Sequence, residues 1–131
     1  ISYNMIKNHP YQNVYYNQLA TKKIKQSLEK DYWALSNKQA FEFILNESKN
    51  DIIKIGAATP ISLQNSLQIL NLNDRKRIKI TDNKNADYII DNYRNWHGKY
   101  IKKRYKIPDN FNIYKEIIVS DIIILSIYKK I

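Results

Sequence analysis

A chain of 131 residues, 44% apolar and with only 2 Gly and 3 Pro, is long enough for one hydrophobic core. It is too apolar for disorder and leaves no room for long flexible linkers. The absence of cysteine excludes disulfides and thiolate metal sites. The formal charge is +10, from 22 Lys and Arg against 12 Asp and Glu, which favours anionic partners such as nucleic acid, a membrane surface or a phosphate-bearing ligand. The excess lies in Lys rather than Arg, in a chain also heavy in Asn and Ile, so codon bias explains the charge as readily as binding does.

No apolar run reaches about 18 residues, so no segment reads as a membrane span, and no signal peptide is visible. Opening on Ile1 is expected of a piece cut from a longer chain. Residues 1–10 are polar with scattered apolar positions, and Pro10 holds His9 extended. Tyr11 to Tyr16 has the aromatic and β-branched content of a strand. Gln18 to Lys30 fits a helix face through Leu19, Ile24 and Leu28, and fits an alternating strand as well.

Ser36 to Gln39 has the spacing of a capping box, followed by an apolar stripe of Ala40, Phe41, Ile44 and Leu45. This predicts a helix from about Asn37 to Ser48. Asp51 to Ala58 reads as a largely buried strand. Thr59 as N-cap and Pro60 at the first helical position predict a second helix, with Leu63, Leu67 and Leu70 buried, ending near Asn71 to Asn73. Arg77 to Thr81 alternates as a strand, Asp82 to Asn85 is a turn cluster, and Ala86 to Asp91 is a further strand. Asn95 to Gly98 reads as a loop, and the basic stretch Tyr100 to Pro108 as an exposed connection. Ile113 to Val119 and Ile122 to Tyr128 flank Ser120-Asp121 as a hairpin.

The expected architecture is therefore α/β, with α+β as the other class this order permits. It is a single domain over residues 1–131, with a mixed β-sheet, two covering helices and a C-terminal β-hairpin. The central strand–helix–strand portion implies parallel pairing with a right-handed crossover.

Residues that could carry chemistry are few. His9 and His97 are far apart, and neither stands in a spacing that holds a metal, so no metal site is expected. Two glycines cannot build a phosphate-cradling loop, so no nucleotide cofactor is expected. The turn from Gly56 to Pro60 could offer amides to an anion, but close helix–sheet packing is the plainer reading. No Gly-x-Ser-x-Gly elbow occurs. Glu29 and Asp31 would share one face of a strand, as paired catalytic carboxylates could, but a solvated strand face is the plainer reading. Of the 11 tyrosines, several alternate with Lys and Arg from Tyr93 to Lys106. That mixture suits a single-stranded nucleic acid or a membrane interface, and equally a solvated basic loop.

Three stretches carry a resemblance. His9-Pro10-Tyr11-Gln12-Asn13-Val14-Tyr15-Tyr16-Asn17 resembles a His-Pro-Tyr-Gln-x-Val-Tyr-Phe-Asn segment. Leu28-Glu29-Lys30-Asp31-Tyr32-Trp33-Ala34-Leu35-Ser36 resembles Phe-Glu-x-Asp-Tyr-Trp-Gly-Leu-Ser. Ala86-Asp87-Tyr88-Ile89-Ile90-Asp91-Asn92-Tyr93-Arg94 resembles Ala-Asp-Tyr-x-x-x-Asn-Tyr-Arg. Together they are similar to the soluble C-terminal region of bacterial polytopic membrane glycosyltransferases of the dolichyl-phosphate-mannose protein mannosyltransferase-like type. Ala34 stands where that pattern has Gly, and Tyr16 where it has Phe.

The resemblance implies a non-catalytic accessory domain on the extracytoplasmic (periplasmic) face of the inner membrane. Its parent enzyme would transfer sugar from a polyprenyl-phosphate carrier, with the catalytic carboxylates in loops of the membrane portion. The partners it implies are that transmembrane portion and a membrane surface or lipid-linked sugar. On this reading His9, Pro10, Tyr11, Asp31, Tyr32, Trp33, Asp87, Tyr93 and Arg94 define the fold or dock a partner, and none is catalytic. The other expectation is a small basic module that holds single-stranded nucleic acid or another anionic partner, with Tyr100 and Tyr105 as stacking platforms.

Overall fold

The computed structural model describes residues 2–7, 9, 34–94 and 105–131. The strand expected at Tyr11 to Tyr16, the ambiguous Gln18 to Lys30 and the loop Asn95 to Gly98 lie outside the described residues, as does most of the basic stretch before Tyr105. A short helix, α1 (Ser2–Lys7), comes first.

Helix α2 (Ser36–Glu47) begins one residue before the predicted start, and its apolar stripe is where the 3.6-residue period put it. Ala40, Phe41 and Ile44 are wholly buried and Leu45 nearly so. Ser36 is not the N-cap residue that the capping box requires. Leu35 occupies the N-cap position without a side-chain bond, and Ser36 lies buried inside the first turn. The chain enters α2 through Ala34, whose φ of 55° is left-handed. Asn37, also wholly buried, donates from its side chain to Ser66 Oγ (3.0 Å) and so ties the start of α2 to the next helix. At the other end the Arg77 guanidinium donates to the carbonyls of Leu45, Ser48 and Asn50, which satisfies acceptors that a helix C-terminus leaves without partners.

Strand β1 (Ile53–Ala57) follows. The predicted second helix is present only in pieces. Helix α3 (Leu63–Ser66) starts three residues later than Thr59-Pro60 suggested, with Ser62 as the N-cap accepting from the Asn65 amide. It gives way to a 3₁₀ turn (Leu67–Ile69), and a separate helix α4 (Leu72–Arg77) is capped by Asn71. Thr59 is drawn away from capping because its hydroxyl donates to Asn92 Oδ1 (2.7 Å). The burial of Leu63, Leu67 and Leu70 nevertheless holds.

The remaining strands are β2 (Ile78–Ile80), β3 (Tyr88–Asp91), β4 (Phe111–Val119) and β5 (Ile122–Lys130). All five form one mixed sheet in the order β2-β1-β3-β5-β4. β1 is parallel to both β2 and β3, and β5 is antiparallel to β3 and β4. The hairpin turns on Ser120 and Asp121 at φ 48° and 63°, the paired left-handed conformation that matches strand twist. Its register shifts twice, between Ile113 and Lys115 and between Ile117 and Ile118.

One apolar cluster holds the α2 stripe, the three leucines and one face of the sheet, including Ile53, Ile55, Ile78, Tyr88, Ile90 and Ile127. A smaller one, Ala86, Ile89 and Phe111 with Ala58, Ile107 and Tyr128, takes the alternate residues and so lies on the opposite face. Among the described residues no helix is long and apolar enough to cross a membrane.

The connection from β2 to β3 is unusually short. Ile80 and Tyr88 both pair with Ile55, on opposite sides of it, so the chain crosses β1 within seven residues (81–87). Parallel strands ordinarily need a connection of about a dozen or more. The crossing passes directly over Gly56. A Cβ there would overlap Asn83 Oδ1 and lie 3.2 Å from Asn83 Cα and 3.3 Å from Ala86 Cβ. Gly56 is thus required by close approach of backbone to backbone.

Candidate functional site

The described candidate residues fall at separate places. His9 is exposed after α1, its amide donating to the Ile6 carbonyl (3.2 Å). Pro10, Tyr11, Asp31, Tyr32 and Trp33 lie outside the described residues, as do His97 and Glu29. Asp87 precedes β3 and acts on backbone. Its Oδ2 accepts from the Lys54 amide (2.9 Å), its own amide donates to the Lys54 carbonyl, and its carbonyl accepts from the Lys130 amide. Asp87 therefore locks β3 against both its neighbours.

Tyr93 and Arg94 sit at the far end of β3. Tyr93 has φ 57°, which is costly for a bulky side chain. Two bonds hold it there. Its amide donates to Asp91 Oδ1 (2.8 Å), and its hydroxyl is bonded to Ser126 Oγ, wholly buried on β5. The Arg94 amide donates to Asn92 Oδ1 (3.3 Å), the oxygen that also accepts from Thr59.

The Tyr93 hydroxyl belongs to a polar relay on the sheet face opposite the helices. Tyr128 lies beside Tyr93, and Ser126 reaches the Glu116 carboxylate at 3.5 Å. Burial, reinforced by the neighbouring Tyr93 and Asp91, pushes the Tyr128 phenol up to about 12. Burial also raises the Tyr93 phenol, although its bond with Ser126 works the other way. The relay thus holds a strained turn.

A second feature lies at the carboxyl ends of β1 and β2, a cleft of about 380 Å³. Its walls are the connection from β1 into α3 and the start of the β2–β3 crossing. Ala57, Ile61, Leu63 and Ile80 supply its apolar surface, and Ser62, Gln64, Thr81 and Asp82 supply polar atoms. Asn83 is fixed in the wall, its amide donating to the Lys106 carbonyl (3.1 Å), and that bond brings the segment bearing Tyr105 to the rim. The Asp82 carboxylate is held below its ordinary value, first by the side chain of Asn85 and then by its amide. It also accepts from the Lys84 amide.

The residue patterns did not single out this cleft. The one signal available was Asp82 directly after a strand that follows a strand–helix unit, a position where such folds meet ligands. The relay gave no signal in the sequence, because its central contact, Tyr93 with Ser126, joins residues 33 apart in the chain. Among the described residues no group of three or more His, Cys, Asp or Glu side chains could hold a metal ion. No protein-family model, no curated protein and no solved structure matches the chain.

Proposed function

We propose that the chain is a non-catalytic, extracytoplasmic accessory domain of an integral-membrane glycosyltransferase that uses a polyprenyl-phosphate sugar carrier. The observation that carries the reading is Ala34. Its φ of 55° is a conformation that glycine adopts without penalty, and glycine is the residue that the resembled Asp-Tyr-Trp-Gly-Leu-Ser pattern has at this position. A sequence pattern and an independent backbone angle thus agree on one residue.

The part played by the third motif supports the same reading. Asp87 pins a strand, Asn92 anchors the turn after β1, and Tyr93 is held by Ser126. These are scaffold duties, as expected of a module that positions a partner while the chemistry happens elsewhere. The partners on this reading are the transmembrane portion of the same polypeptide and the adjoining membrane surface or lipid-linked sugar, at the periplasmic face.

The test is a hydropathy scan of the reading frame upstream of the Ile1 codon, with a window of about 19 residues, followed by membrane fractionation of the full-length product. Several hydrophobic spans ending shortly before Ile1 and recovery in the membrane fraction are expected. A frame without such spans would sink the reading.

A further inference from the structure

We propose that the cleft at the carboxyl ends of β1 and β2 binds an uncharged, hydroxyl-bearing ligand, a sugar residue, between the Ile61–Gln64 segment and Thr81-Asp82. The inference rests on the glycosyltransferase reading only for where that sugar would come from.

Position is the first argument. In sheets built from strand–helix–strand units, ligands meet the carboxyl ends of the parallel strands, where a carboxylate can accept hydrogen bonds from ligand hydroxyls. Asp82 stands there, two residues beyond β2 and across the cleft from the β1–α3 connection. Size is the second. The cleft's 380 Å³ lies at the lower end of the range of about 300–1,000 Å³ that ligand sites span, which suits one or two sugar rings.

The chemistry of the lining is the third argument and the most selective. The chain carries a net charge of +10, yet among the described residues neither Lys nor Arg lines this cleft, and the one carboxylate there is that of Asp82. Among these described residues an anion would meet Asp82 and no cation. A polyol finds matching partners. Gln64 supplies an amide donor and acceptor, and Thr81 and Ser62 supply hydroxyls. Among the described residues Asp82 Oδ2 accepts from the Asn85 side chain alone (2.9 Å), which leaves it a lone pair for a ligand hydroxyl. The apolar surface of Ala57, Ile61 and Ile80, with the ring of Tyr105 at the rim, suits the C–H faces of a sugar. Asn83 stays committed to Lys106 and serves as a positioning residue.

The test is a titration of the isotope-labelled 131-residue chain, followed by amide chemical shifts. The probes are methyl α-D-mannopyranoside, methyl α-D-glucopyranoside and maltose, with inorganic phosphate and uridine monophosphate as anionic counterparts at matched ionic strength. At least one glycoside should give saturable shifts confined to Ile61–Gln64 and Thr81–Asn83, with a Kd of about 1–10 mM. Asp82→Asn, which keeps an acceptor for the turn, and Gln64→Ala, on an exposed side chain, should each weaken that binding at least about fivefold while the spectrum stays dispersed. No saturable shift with any glycoside would overturn the proposal, as would tighter binding of either anion at these amides. The upstream hydropathy scan decides the parent enzyme and this titration decides the cleft, so each can fail without the other.

Discussion

Replacing Gly56 by alanine places a methyl group in the path of the β2–β3 crossing. The new Cβ overlaps Asn83 Oδ1 and presses on Asn83 Cα and Ala86 Cβ at 3.2 and 3.3 Å. Asn83 can turn away only by giving up its bond to the Lys106 carbonyl, a loss of about 1 kcal/mol. Asn83 Cα and Ala86 are part of a tightly placed connection, and crowding of that kind costs about 1–3 kcal/mol. Gly56 does not have a positive φ, so alanine also restricts the unfolded chain and returns about 0.4–1 kcal/mol. The net expectation is a loss of about 1–3 kcal/mol, a fall in Tm of roughly 4–10 °C for a domain of this size. Thermal unfolding followed by circular dichroism measures it. A double-mutant cycle locates the cause, because in an Asn83→Ala background the same substitution should cost about 1 kcal/mol less. A Gly56→Ala variant as stable as the parent, or a cycle with no coupling, would refute the crossing contact.

Three further outcomes are expected. Tyr93→Phe leaves the buried Ser126 hydroxyl with only the long Glu116 contact, and should lower stability by about 1–2 kcal/mol in urea melts. Prior loss of Ser126, in Ser126→Ala, should shrink that cost. Ala34→Gly relieves a left-handed alanine and should raise stability by about 0.5–1 kcal/mol, against the usual sign of an alanine-to-glycine change. Tyr128 has a folded value of about 12 against the ordinary 10, so its contribution is complete below about pH 10 and is lost as pH rises towards 12. The parent should therefore lose stability more steeply than Tyr128→Phe between about pH 10 and pH 12, and equal slopes would contradict the burial of that phenol.

Much of this fold is written locally. The α2 stripe follows from a 3.6-residue period, β1 from a short apolar run, and the closing hairpin from two β-rich runs around two residues able to turn left-handed. Each signal lies within a dozen residues, so the sequence by itself determined these elements and the mixed α/β class. What it missed depended on distant partners. Thr59 and Pro60 have the chemistry of a helix start, but Asn92 claims the Thr59 hydroxyl and the start passes to Ser62. Ser36 and Gln39 have the spacing of a capping box, but Ser36 is buried within the first turn. Nothing local announces that Tyr93 will be held against Ser126, or that Gly56 lies under Asn83.

The cleft is the clearest case. Its walls come from the exits of two strands that become neighbours only when β1 and β2 pair. Local propensity chooses among the conformations of a few residues at a time. Where hydrogen-bond partners stand tens of residues apart, burial and pairing in the assembled sheet decide between conformations that propensity leaves nearly equal, and only the tertiary structure makes that choice.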